Sequence, residues 1–214
     1  MSWLDPLPEP IPEIREDTPH YETVGRFVTS FANAEAAVHM LARHLCGLSD
    51  EKARIIFGGM RLPDISDIIR HIAKIDKLAA ETLEVVDECL TQLGLIAKRR
   101  HVLVHRTSSF FDGKIIASNV LTTKSLKAVE GDVFDVKELS DMQVDCLHIY
   151  LRLCNIYSPK QPPHLNPEVD AIIYGRSWRY KYVPPKTPHL KARAKPPKQQ
   201  PRPPASHERQ DAEE

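Results

Sequence analysis

Residues 95–117 read LIAKRRHVLVHRTSSFFDGKIIA, and the spacing of apolar residues changes inside that stretch. Before it and into it, Leu83, Val86, Leu90, Leu93, Ala97 and Val104 recur at threes and fours, the period of a helix starting near Ala79. From Ser108 to Leu121 the pattern turns β-prone. Phe110-Phe111 precedes Asp112-Gly113, and Lys114-Ile115-Ile116-Ala117 follows. Asp-Gly between two such runs is a strong hairpin signal. A long helix therefore feeds a short hairpin.

Helical spacing continues on both sides. A first helix is expected from Thr18 as N-cap, with Pro19 at its first position. It carries Val24, Phe27, Val28, Phe31, Val38, Leu41 and Leu45, and it ends at Gly47. Ser49 opens a short second helix that stops at Gly58-Gly59. Pro63 opens a third, with Ile65, Ile68, Ile69, Ile72 and Ile75 directed at the core. After the hairpin, Asp135 caps a last helix that presents Val136, Leu139, Cys146, Leu147, Tyr150 and Leu153. The fold class expected is all-α: an up-and-down bundle of about five helices, with a small β-hairpin inserted before the last one.

Proline marks the limits of that bundle. Of 18 prolines, four fall in Pro6–Pro12 and twelve in Pro159–Pro204. Proline fixes φ and removes a backbone donor, so both ends are expected to be extended. The domains expected are a Pro-rich acidic arm over 1–17, a helical bundle over 18–157 and a Pro-rich basic tail over 158–214. The formal net charge of zero averages these unlike pieces: residues 1–18 hold five acids and one Arg, and 174–202 hold nine Lys or Arg and no acid. No apolar run approaches the roughly 18 residues of a membrane span, and Met1–Asp17 lacks the pattern of a secretory signal. Cys46, Cys89, Cys146 and Cys154 stand singly within helical patterns, as reduced thiols of a cytoplasmic protein do.

Several polar residues break the apolar pattern. Glu35 lies on the apolar side of the first helix, where an unpaired carboxylate costs several kcal/mol. In the fourth helix Arg100 stands seven residues beyond Leu93, within about 20° of that core position. His101 and His105, four apart, share a flank. Arg grips a phosphate through two parallel hydrogen bonds, and His moves protons near neutral pH, so the arc suits an anionic phosphodiester. A plainer reading is a solvated basic helix end, with cations set against the helix dipole. A third is a metal held by His101 and His105, for which no third ligand stands at a recognisable spacing.

The block Lys98-Arg99-Arg100-His101-Val102-Leu103-Val104-His105, ending a long helix, resembles the Arg-x(4–6)-His signature of HEPN domains. The mid-face acid Glu35 before it, and the Asp112-Gly113 hairpin, connector and amphipathic closing helix after it, resemble the order of elements in stand-alone HEPN proteins. The likeness covers about 18–157. His101 stands where active members most often have Asn. The resemblance implies metal-independent RNA cleavage with no cofactor: His105 moves the proton, Arg100 steadies phosphoryl charge, and Glu35 orients one of them, with His101 as a second proton carrier. It further implies a homodimer with two motifs facing each other, a role as toxin or defence effector, and an inhibitory partner protein. A silent HEPN-like module that binds nucleic acid or protein is the alternative.

Arg99 and Arg106 add positive charge beside the motif, and the tail segment interleaves Trp178, Arg179, Tyr180 and Lys181. Aromatic rings stack on bases while cations neutralise phosphates, so these six residues are candidates for nucleic-acid contact. The other reading of 172–183 is a strand-like flap on the bundle, docked through Ile172, Ile173 and Trp178.

Overall fold

The structure is a computed structural model that describes residues 18–124, 129–158, 171, 175 and 177–183. Five helices dominate it: α1 (Thr18–Leu45), α2 (Asp50–Phe57), α3 (Leu62–Ile75), α4 (Ala80–His105) and α5 (Val136–Tyr157). Three strands, β1 (Thr107–Phe111), β2 (Lys114–Ser118) and β3 (Gly131–Phe134), lie between α4 and α5. The chain divides into the units Met1–Tyr182 and Val183–Glu214, and all described residues but Val183 belong to the first. The expected arm over 1–17, together with Ile172, Ile173 and the tail cations from Lys186 onward, lies outside the described residues.

Local chemistry sets the helix limits. The Ser49 hydroxyl accepts from the Lys52 N–H at 3.4 Å, and the Asp135 carboxylate accepts from the Glu138 N–H at 2.5 Å, each occupying an otherwise orphaned donor. Pro63 occupies the first turn of α3, where a missing N–H costs nothing. The turn between β1 and β2 places Asp112 at φ 49° and Gly113 at φ 69°. Two consecutive positive φ values match the right-handed twist of hairpin strands, and Asp-Gly tolerates both.

α1 is the spine of the bundle. It packs most extensively on α5 and also on α3, while α4 packs on α5 and α3. Phe27, Phe31, Leu41, Ile65, Ile69, Leu93, Ile96, Leu139, Met142 and Ile149 form one continuous core with the inner face of the sheet. No described helix is long and apolar enough to cross a membrane. All four cysteines are free thiols, and burial raises those of Cys89 and Cys146.

Three expectations are corrected. The hairpin is part of a three-stranded antiparallel sheet in the order β1-β2-β3, with Ile115 opposite Phe134 and Ile116 opposite Val133. Isolated two-stranded hairpins are marginal in water, and fully buried Phe134 anchors the third strand in the core. Ile75, the last residue of α3, is exposed rather than in the core. The buried face of α5 is rotated from the one expected: Leu147 and Tyr150 are exposed, while Asp145, His148 and Arg152 are buried. A returning segment covers that polar flank.

That segment, 177–182, lies on α4 and α5. Fully buried Asp145 accepts from the N–H groups of Arg179 and Tyr180, both at 2.9 Å. The Gln92 amide donates to Asp145 and to the Tyr180 carbonyl, both at 2.9 Å. Trp178 lies over the Arg152 guanidinium at 4.3 Å, and Arg152 also donates to the Gly175 carbonyl. Of the residues expected to dock, Trp178 does so.

Candidate functional site

Arg100 sits five residues before the end of α4 and faces α1. Its guanidinium carbon is 5.4 Å from the centre of the Phe31 ring. Its Nε is buried and has no hydrogen-bond partner among the described residues. Among the described residues the side chain makes no ion pair either. Glu35, one turn beyond Phe31, is half-buried. Burial pushes its carboxyl above the ordinary range, and the positive charges of Arg100 and His39 pull it back. The Glu35 carboxyl thus lies within electrostatic reach of Arg100 and His39, with no hydrogen bond or ion pair joining the three among the described residues. Ordinary packing leaves few such groups, since a buried donor without a partner costs about 1–3 kcal/mol.

His101 and His105 are exposed on the adjoining flank of α4. Their rings are 4.6 Å apart between centroids, with planes at 47°. The helical pitch sets this contact, because side chains four apart share one face. Two imidazoles in contact present two proton carriers, side by side, to a group approaching from solvent.

The neighbouring arginines behave differently. Arg99 donates to both Glu138 oxygens at 2.9 and 3.2 Å, to Asp132 at 2.9 Å and to the Val133 carbonyl at 3.1 Å. It also lies over the Phe134 ring at 4.0 Å. Arg106 donates to Asp132 at 2.9 Å and to Glu130 at 3.0 Å. Both were expected to meet phosphate. Instead their forks are filled by carboxylates from β3, the residue before it and α5, and they fasten the sheet to the bundle. Trp178 and Tyr180, also expected at nucleic acid, are packed on the bundle, whereas Arg179 and Lys181 stand exposed.

The structure therefore brings Glu35 to Arg100 and His101 to His105. Sequence reasoning missed His39, which lies four residues after Glu35 on the same face of α1 and lines a surface cleft. It also missed the Asp145–Gln92 clasp, whose signal was a carboxylate three residues after Met142 in an otherwise apolar row. Among the described residues, no three of His, Cys, Asp and Glu gather as a metal site would require.

No protein-family model matches the chain, and no curated protein or solved structure matches it.

Proposed function

We propose that this chain is a metal-independent endoribonuclease of the HEPN type, serving as a toxin or defence effector. The observation that carries the reading is the contrast among three nearby arginines. Arg99 and Arg106 are held by carboxylates, while the buried Nε of Arg100 has no partner among the described residues and two exposed histidines follow it on the same helix. A guanidinium with open donors next to proton carriers is what a phosphodiester needs.

In this mechanism Arg100 holds the non-bridging oxygens of one phosphate. His105, as base, takes the proton of the ribose 2′-OH. The 2′-oxygen forms a bond to phosphorus as the bond to the 5′-oxygen breaks. His101 is near enough to His105 to give a proton to that leaving oxygen. The products are a 2′,3′-cyclic phosphate and a 5′-OH, and no atom or electron is left unbalanced. Arg100 contributes most as charge builds on the phosphoryl oxygens. Glu35 orients the guanidinium from α1. One arc of helix offers half a constellation, so a second copy completes the site, and an inhibitory partner would act by covering it.

The test is incubation of purified protein with single-stranded RNA in excess EDTA. Cleavage to cyclic-phosphate ends is expected, with DNA left intact. Loss of cleavage in EDTA, or cleavage unchanged in His105→Ala, would overturn the mechanism in favour of a binding module.

A further inference from the structure

Between α1 and α2 lies a cleft of about 390 Å³. Its apolar lining comes from Met40, Ala53 and Phe57, and its polar lining from His39, Arg43, Arg54 and the carboxylate Asp50. That volume is within the range of small-ligand sites. The cations are not equivalent. Arg43 is held by Asp50. Arg54 is exposed, and among the described residues its side chain makes no hydrogen bond or ion pair. His39 belongs to both places: it lines the cleft, and its charge acts on Glu35 beside Arg100.

Glu35, His39 and Arg43 stand four apart on α1, one polar stripe about 12 Å long at 1.5 Å rise per residue. The stripe starts where Arg100 meets Glu35 and ends at the cleft. A polyanion held at Arg100 and laid along it would pass the half-buried Glu35, then meet His39 and the arginines of the cleft. The apolar walls suit a flat base, and the cations suit its phosphate. We propose that this cleft is a subsite for a nucleotide of single-stranded RNA, flanking the nucleotide held at Arg100. The proposal rests on the RNA reading above and adds where the strand runs.

Binding is the readout, so that it does not depend on cleavage. A fluorescently labelled single-stranded oligoribonucleotide is titrated into the full chain carrying His105→Ala, at several salt concentrations. Arg54→Ala in that background is expected to weaken binding roughly fivefold to tenfold. It should also lower the slope of log K against log salt by about 0.7, one phosphate contact on a single strand. Ala53→Trp, which fills the cleft and leaves its charge, is expected to weaken binding roughly tenfold at unchanged salt slope. Lys114→Ala on β2 is the charge-matched control and should have little effect. Melting curves show that each variant is folded. Affinity unchanged in both cleft variants, a loss in Arg54→Ala no larger than in Lys114→Ala, or no RNA binding by the parent overturns the subsite. If the otherwise wild-type chain cleaves nothing while the cleft variants still lose affinity, the subsite stands and the reaction falls.

Discussion

Gln92 on α4 and Asp145 on α5 meet at 2.9 Å in the interior, and both reach the backbone of the same returning segment. A fully buried carboxylate is stable here because three donors converge on it: the Gln92 amide and the N–H groups of Arg179 and Tyr180. Burial still raises its pKa, with those hydrogen bonds opposing the shift.

Asp145→Ala would leave these donors without an acceptor. Each orphaned buried donor costs about 1–3 kcal/mol, so a loss of roughly 3 kcal/mol is expected by urea denaturation. In a Trp3→Phe background, Trp178 is the sole tryptophan, and its fluorescence should shift red as the segment leaves Arg152. A loss below about 1 kcal/mol with no spectral change would show that the clasp is dispensable.

Arg99 and Arg100, adjacent in sequence, should respond in opposite ways to substitution. Arg99→Ala leaves Glu138 without its cation and Asp132 with Arg106 alone, and a loss of about 3 kcal/mol is expected. Arg100→Met removes a donor that has no partner, so stability should hold or rise while cleavage falls. Arg100→Lys should also cleave poorly, because a point charge does not reproduce the planar fork. The paired measurements are denaturation midpoints and initial rates on RNA.

Glu35→Gln should raise the melting temperature at pH 7. The raised pKa means that the folded state binds a proton more readily than the unfolded one, so the ionised carboxylate costs stability at neutral pH. Cleavage should fall in the same variant if Glu35 orients Arg100. A lower melting temperature would mean that its attraction to Arg100 outweighs burial.

His148 has the opposite linkage. Burial and the nearby Arg152 charge lower its pKa, and its Nδ1 has no hydrogen-bond partner among the described residues. The unfolded chain therefore takes up a proton as pH falls below about 6.5, where the folded chain resists. Stability should be full above that pH and decline below it, and His148→Gln should flatten the decline. Asp145 and Glu35 work against it at lower pH, since their raised values add stability as pH falls through them. Melting temperatures between about pH 5 and 8 check the sign.

The sequence was most legible where one residue type serves one local geometry. Asp112-Gly113 marked its turn because few other pairs accept two positive φ values, and Ser49 and Asp135 marked helix starts because their side chains accept from the N–H groups of Lys52 and Glu138, three residues on. The face of α5 was misread because Asp145, His148 and Arg152 are buried by a segment more than twenty residues away along the chain. β3 was missed because four residues carry almost no period. Arg99 and Arg106 looked free because their acids lie 24 to 39 residues further on. Helix phase put Glu35 and Arg100 each on an apolar face, and the resemblance alone suggested that Glu35 orients Arg100 or His105, whereas the cleft, built by two helices, leaves no periodic trace in either.

The clasp on the returning segment also orders how the chain can fold. Asp145 joins Arg179 and Tyr180 across 34 and 35 residues, and Gln92 reaches Tyr180 across 88. Closing such loops costs entropy that helix turns and the hairpin do not incur, so those local pieces can form first. Until Tyr180 arrives, Asp145 and Gln92 stand open to water in a groove between two assembled helices. The segment is therefore a late seal, and a refolding trace followed at Trp178 should lag behind one followed by backbone helicity.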